Sequence, residues 1–338
     1  MRPFSYTRAE TLGDAMAALA ADPTARVLAG GTNLIDLMKY DVERPAAIVD
    51  INRLPLKEIE ELPDGSLRIG ALVSNATLAY HPAVTERFPL LASAILAGAS
   101  PQLRNAATTG GNLLQRTRCY YFYDPSTPCN KRDPGSGCGA IGGVNRIHAI
   151  LGASEHCIAT HPSDMCVALA ALAAVVEVEG PEGRRDIPFA DFHRLPGDHP
   201  ERDNTMRHGE IIIAIRLEGN HFAAHHSYLK LRDRLSYAFA LVSVAAALDV
   251  KDGMIVDMRV ALGGVAHKPW RDSLAEAEFA GQPATEETFA ALADRLLAGA
   301  EGQGDNDFKI PMARKAIVRA LKQAAAGTPQ VQSDKQIR

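Results

Sequence analysis

The sequence predicts an α+β protein of more than one domain, on three observations. Short apolar strands alternate with alanine-rich helical runs through roughly the first 220 residues. The pattern changes after Tyr228 to two long strands followed by helices. Within the first part, residues 116–157 form a stretch rich in Cys, Gly, Pro, Tyr and Arg that has little periodicity of either kind.

The elements follow in order. Residues 1–60 read as a small α/β unit. Thr11 is placed to cap a helix whose Leu12, Ala15, Met16 and Leu19 fall at helical spacing. Arg26–Ala29 is a short strand, Gly30-Gly31-Thr32-Asn33 a turn, Leu34–Lys39 a helix, and Ala47–Ile51 a second strand. A strand over Ser66–Ile69 closes at Gly70, and alanine-rich helices lead to a second glycine turn at Thr108-Thr109-Gly110-Gly111-Asn112. Beyond the aperiodic stretch, Met165–Ala174 reads as a helix and Ala174–Val178 as a strand. His193–Arg207, polar and proline-bearing, reads as a surface loop, and residues 211–217 as a strand. Tyr237–Val250 and Met254–Gly263 read as two strands and 285–325 as helices, a separate α+β domain. The polar tail Thr328–Arg338 is expected to be flexible.

A chain of 338 residues with 46% hydrophobic and 22% charged residues is long and apolar enough to bury real cores. The net charge of −4 excludes a basic nucleic-acid surface, and no polybasic patch marks a membrane surface. No run approaches the ~18 apolar residues of a spanning helix, so no membrane insertion is expected. The start, Met1–Tyr6, lacks the apolar core of a secretory signal.

Two motifs carry a phosphate-binding logic. In Val27-Leu28-Ala29-Gly30-Gly31-Thr32-Asn33-Leu34 a strand ends in two glycines, where the backbone can approach a pyrophosphate. Alone, this is equally a tight strand–helix turn. Arg104–Leu113 repeats the pattern about 80 residues later, and two such loops can grip the two phosphates of one dinucleotide. Gly137-Cys138-Gly139-Ala140-Ile141-Gly142 matches the dinucleotide fingerprint literally. It lacks the preceding strand and following helix, and reads as a loop delivering Cys138.

All five cysteines lie between positions 119 and 166. An odd count in a chain of this length argues against a disulfide framework and for a local thiolate site. Nine, eight and eighteen residues separate Cys119, Cys129, Cys138 and Cys157, which matches neither a compact ferredoxin run nor a zinc finger. The spacing leaves an iron–sulfur cluster and a structural zinc, the latter using His156 or His161, about equally open; buried free thiols are the bland alternative. Lys131, Arg132, Arg116 and Arg118 can offset the cluster's charge, and Tyr120–Tyr123 can wall it from water. Cys166, flanked by Val167 and Ala168, reads as a small packed hydrophobe.

Together these features resemble the FAD-binding middle subunits of the xanthine dehydrogenase and molybdenum hydroxylase family. The resemblance runs from Met1 to about Gly327 and rests on Leu28–Leu34 and Thr108–Leu113. With the inserted cysteines, Arg232–Ala240 and Val260–Trp270, the chain is similar to the FAD and [4Fe–4S] subunits of bacterial periplasmic aldehyde oxidoreductases.

The resemblance implies a two-lobed vanillyl-alcohol-oxidase (PCMH-type) FAD-binding domain over 1–222, with lobes 1–60 and 61–222 and an iron–sulfur insertion at 116–157. A CO-dehydrogenase-flavoprotein-type C-terminal α+β domain follows over 223–327. Cys119, Cys129, Cys138 and Cys157 would ligate [4Fe–4S]. FAD contacts would come from Arg26, Val27, Leu28, Ala29, Gly30, Gly31, Thr32, Asn33 and Leu34, and from Ala107, Thr108, Gly110, Gly111 and Asn112. Asp164, Ile211, Ile212 and Lys230 would add to them. Asp164 reads equally as a helix N-cap and Lys230 as a surface lysine.

No side chain is expected to act catalytically on substrate. The implied role is electron transfer in a heterotrimer: a large molybdenum-cofactor subunit oxidises an aldehyde, a small subunit carries [2Fe–2S] clusters, and this subunit passes electrons to an external acceptor. A scaffold with a purely structural cluster and a stand-alone flavin oxidoreductase are the alternatives. Location is expected to be periplasmic by co-export with a signal-bearing small subunit, with a cytoplasmic complex as the alternative.

Overall fold

The computed structural model describes residues 1–219 and 222–327; the tail read above as flexible lies outside them. Strands β1 (Ser5–Arg8), β2 (Arg26–Leu28) and β3 (Ala47–Asp50) form a parallel sheet in the order β1–β3–β2. Helix Leu12–Ala21 links the first two. Thr11 accepts a hydrogen bond from the Asp14 amide, and the Asp14 side chain accepts one from the Thr11 amide, so both ends of a capping box are made. Ala15 and Leu19 then pack against Val49, Ile51 and Leu54. β1 was not legible in the sequence because all four of its residues are exposed, which removes the alternation that marks a strand.

The second sheet is antiparallel: β4 (Ile59–Glu61), β5 (Leu67–Gly70), β6 (Val175–Gly180), β7 (Gly183–Pro188) and β8 (Ile211–Leu217), in the order β4–β5–β8–β6–β7. β5 pairs with β8 across a long sequence gap, from Leu67 opposite Leu217 to Gly70 opposite Ala214. The sheet thereby closes over helices Pro89–Ala97 and Asp164–Ala171, whose side chains fill the largest core with Leu67, Ile69, Val176 and Ile215. Both helices are buried on nearly every face, so they lack an amphipathic stripe.

The third sheet, β9 (His226–Leu231), β10 (Val242–Lys251) and β11 (Met254–Gly263), runs antiparallel in the order β11–β10–β9. The alternation along β10 sends Val244, Ala246 and Leu248 into a core shared with helices Glu286–Leu296 and Lys309–Ala325. Ala245 and Ala247 enter the core of the second sheet instead. A strand buried on both faces reads as a continuous apolar run. The reading Tyr237–Val250 began that strand too early. Tyr237 has φ +49°, and Tyr237–Leu241 line a cleft rather than join the sheet. β4, β7 and β9 carried no clear sequence signal. Among the described residues no helix is long and apolar enough to cross a membrane.

Candidate functional site

A cleft of about 1780 Å³ runs between the first sheet, the second sheet and β9. Every residue expected at the flavin lines it: Arg26 to Leu34, Ala107, Thr108, Gly110, Gly111, Asn112, Asp164, Ile211, Ile212 and Lys230.

The two glycine motifs reach the cleft in different ways. Gly30 lies against the other motif, where a Cβ would overlap the Ala106 carbonyl. Gly31 has φ +71°, a region that favours glycine. The amides of Gly30, Gly31, Thr32 and Asn33 have no backbone acceptor among the described residues, so four adjacent N–H groups stand at the cleft wall. Asn33 Oδ1 accepts from the Arg116 amide at 2.9 Å, which leaves Asn33 Nδ2 buried without a partner.

The second motif is not an open turn but the helix Thr109–Leu113, capped by Thr108. Its amides are already engaged: Thr109 with Val73 O (2.9 Å), Gly110 with Ala71 O (2.8 Å) and Gly111 with Thr108 Oγ1 (3.2 Å). It therefore meets the cleft through the side chains of Thr108 and Asn112. Unpaired donors around a space of this size fit a dinucleotide.

Asp164 and Lys230 meet across the domains. Lys230 Nζ lies 2.8 Å from Asp164 Oδ2 and 3.1 Å from Ala97 O. The Tyr228 hydroxyl donates to Asp164 Oδ1 at 2.7 Å. The side chains of Lys230 and Asp164 are 4% and 8% exposed, so the lysine is no surface residue. Nor is Asp164 the N-cap. Ser163 caps the helix by accepting from the Cys166 amide, and its hydroxyl also reaches Asn112 Oδ1 at 2.6 Å. Burial, then the Asp164 charge, holds the Tyr228 hydroxyl well above its ordinary value.

The cysteine stretch folds around Asn130. Its Oδ1 accepts from the Gly135 and Gly137 amides, and its Nδ2 donates to His156 O. This brings Cys129 opposite Cys138 and holds the segment of Cys157 beside them. Cys119, Cys129, Cys138 and Cys157 line one small closed cavity with Phe122, Lys131 and Ala140. Gly137–Gly142 is a loop with φ +100° and +74° at its ends, and Tyr121 packs so closely on Gly139 and Gly143 that a Cβ at either would collide with it.

Backbone amides of Phe122 and Tyr121 point at the Cys119 sulfur, and that of Ala159 at Cys157. His148 Nε2 lies 3.1 Å from Cys119 Sγ. Burial pushes Cys119 up to about 12 and Cys157 to about 11, so a metal must displace their protons. Among the described residues the four thiols form no trio with all ligand atoms within 4.8 Å. A mononuclear zinc with Zn–S of about 2.3 Å would hold its sulfurs about 3.8 Å apart. A cuboidal cluster, with a metal at each of four corners, spaces them more widely.

Not every expected cation faces this cavity. Lys131, 1% exposed, does, and it pairs with Asp203. Arg116 instead bridges Glu43 (2.5 Å) and Asp203 (2.8 Å). Arg132 holds the carbonyls of Tyr121, Phe122 and Thr127, and Arg118 stacks on Phe239. Tyr120 is half exposed and lines the cleft rather than the cysteine cavity. His161 stands apart from the four cysteines, and Cys166 is fully buried, as a packed residue should be. The 193–207 segment is more than a surface loop: His193 is buried, and Asp203 joins the cleft wall to the cysteine stretch. Its polar sequence misled because Asp203, one of its charges, is paired inside with Lys131 and Arg116.

The chain matches the family model of the FAD binding domain in molybdopterin dehydrogenase over residues 2–217. It matches that of the CO dehydrogenase flavoprotein C-terminal domain over residues 226–324. The chain belongs to the FAD-binding medium subunits of the xanthine dehydrogenase and CO dehydrogenase family. It is 50% identical over 327 residues to the aldehyde oxidoreductase FAD-binding subunit PaoB of Escherichia coli, covering 96% of this chain and 99% of that one. Among solved structures, the carbon monoxide dehydrogenase of Hydrogenophaga pseudoflava aligns with a TM-score of 0.76 at 29% identity, covering 97% of this chain and 99% of that one. Quinoline 2-oxidoreductase of Pseudomonas putida 86 aligns at 0.74 and 25% identity, covering 96% and 98%. This medium subunit is thus the FAD-binding part of an aldehyde oxidoreductase/CO dehydrogenase-type molybdenum hydroxylase.

One medium-subunit contact escaped the sequence reading altogether: Asp203, which shows no motif. Burial alone would raise its carboxyl, but Lys131 and Arg116 hold it well below the usual range. Asp203→Asn is expected to cost roughly 2 kcal/mol at pH 7. The wild-type contribution is complete above the unfolded carboxyl value of about 3.9 and is lost as the pH falls through the lower folded value. Urea curves of the two proteins should therefore differ at pH 7, begin to converge only below about pH 4, and go on converging as the pH falls toward the lower folded value.

Proposed function

We propose that this medium subunit carries a [4Fe–4S] cluster as well as FAD. It serves as the electron-transfer subunit between molybdenum-cofactor and [2Fe–2S] partner subunits and an external acceptor, in a heterotrimeric aldehyde oxidoreductase. The observation that carries the reading is the meeting of Cys119, Cys129, Cys138 and Cys157 in one closed cavity, with amides aimed at two of the sulfurs and a buried lysine beside them. Amide-to-sulfur hydrogen bonds and exclusion of water are the levers by which a protein tunes such a cluster. The 50% identity to an aldehyde oxidoreductase subunit supports the substrate class.

Bound FAD supplies one- and two-electron redox chemistry. The chain's own residues do the holding. The free amides of Gly30 to Asn33 suit pyrophosphate oxygens, Asn33 Nδ2 adds a donor, and Thr108 and Asn112 close the opposite side. Asp164 and Lys230 form a rigid polar end wall, and Ile211 and Ile212 an apolar one. Export, on this reading, is together with a signal-bearing small subunit; recovery of the complex only from the cytosol would refute it.

The deciding experiment is an iron and absorbance assay on the purified subunit. Flavin bands and about four irons per chain are expected, while zinc without iron would overturn the cluster. Asn130→Ala, which removes the amide that gathers three of the cysteine segments, should lower iron content while flavin remains.

A further inference from the structure

Beside the cleft and apart from the four-cysteine cavity, His161, His193 and Cys166 come together from three segments. One ligand atom of each lies within 4.8 Å of the other two, and the imidazole centroids are 4.4 Å apart. Their chemistry is only partly spent, Cys166 meeting the Ser163 side chain and the His161 ring the Leu113 backbone. His193, 4% exposed, places Nε2 2.9 Å from Leu113 O. That nitrogen therefore carries the proton, and Nδ1, buried and without a partner, keeps its lone pair. His161 Nε2 is likewise buried without a partner, and Cys166 is fully buried in no disulfide.

Buried polar atoms in folded proteins are almost always satisfied, so two orphaned imidazole nitrogens beside a thiol ask for an occupant. His193 is also held as metal-bound imidazoles are held, with one N–H on a backbone carbonyl and the other nitrogen free.

We propose that His161 Nε2, His193 Nδ1 and Cys166 Sγ bind a borderline divalent cation of the Zn²⁺ class. Two imidazoles and a thiolate suit such an ion and do not suit Mg²⁺ or Ca²⁺, which take oxygen ligands. Each ring is buried with one nitrogen unpartnered, and His193 keeps its proton on Nε2, toward Leu113 O. The ligands are thus ready as lone pairs. For His161 the proton moves to Nδ1, which gives up only a long contact, 3.4 Å, from the Ser163 amide.

The thiol is different. A buried thiol carries its proton, so binding as the thiolate exchanges that proton for the metal, and each ion bound releases one proton to solvent. No oxidant or reductant is involved. The thiolate formed at Cys166 offsets part of the charge brought in, since the nearby Asp203 carboxylate is already paired with Lys131 and Arg116. His161 also lines the cleft, which leaves the fourth coordination position on that side.

The test uses the full purified chain, dialysed against excess Zn²⁺ and then against metal-free buffer. About one retained zinc per chain is expected, with zinc K-edge absorption showing two imidazole nitrogens and one sulfur. His193→Gln and Cys166→Ser should each lower zinc affinity roughly tenfold or more without changing iron content. Calorimetry in two buffers of different ionisation enthalpy should read one proton released per zinc. Absence of retained zinc would overturn the site, and water would then be the occupant of the orphaned nitrogens. An all-sulfur shell would also overturn it by placing the zinc on the four cysteines. Retention unchanged in both variants would do the same. The wild-type spectrum needs no variant to fold, and Cys166→Ser preserves the volume of the core.

Discussion

Lys230→Met is expected to destabilise the subunit by about 3–5 kcal/mol, because it leaves the Asp164 carboxylate buried with no cation. The carboxylate would keep only the Tyr228 hydroxyl on Oδ1, while Oδ2, 2.8 Å from Nζ in the wild type, would face the backbone near Gly98. Asp164→Asn should cost a comparable amount from the other side, stranding the ammonium on the Ala97 carbonyl. The double change Asp164→Leu/Lys230→Met separates the two ideas of what the pair does. A buried pair gains little over well-packed apolar groups, so the double variant should recover most of the stability. It should still bind FAD poorly, having lost the polar end of the cleft. Urea midpoints of the flavin-free chain and FAD affinities of all three variants are the measurements. Full stability in either single variant would show that the pair is not buried as described.

Gly30→Ala is expected to weaken FAD binding by up to about a hundredfold, the equivalent of about 1–3 kcal/mol of overpacking. The added methyl would overlap the Ala106 carbonyl oxygen and stand 2.7 Å from its carbon, and backbone on both sides cannot swing away as a side chain can. The two motifs must part, and the free amides of Gly30 to Asn33 lose their placement against Thr108. Gly219→Ala, with nothing nearer than 3.9 Å, is the control and should behave as wild type. Equilibrium dialysis of FAD against the two apo-proteins tests the pair, and equal affinities would remove the close approach from the account of the site.

Legibility differed from element to element for identifiable reasons. Helix Leu34–Lys39 and β8 emerged with their limits, and helix Leu12–Ala21 with its start and apolar spacing; Thr11 supplies a capping signal and β8 a nearly unbroken apolar run. β1 and β7 did not, since most of their residues face solvent and their pairing is stabilised by backbone partners distant in sequence. Tyr237–Leu241 looked like strand because Tyr237 and Phe239 favour one and the segment runs into the apolar stretch of β10, yet these residues line the cleft wall.

The same division holds at the site. By itself the sequence determined which residues are special: paired glycines, clustered cysteines, and an aspartate at the start of an apolar helix. These types are chosen by local constraints, backbone approach and ligand chemistry, that leave a mark in composition and spacing. Only the tertiary structure decided what each one does. It left the first motif's amides free and consumed the second's on the carbonyls of Val73 and Ala71 and on Thr108 Oγ1, partners that the first motif does not have in reach. It turned Lys230 inward onto Asp164 and set Lys131 on Asp203. It also drew His161, His193 and Cys166 to one point. Such partners are joined by side-chain geometry across folded segments, a property that no local stretch of sequence encodes.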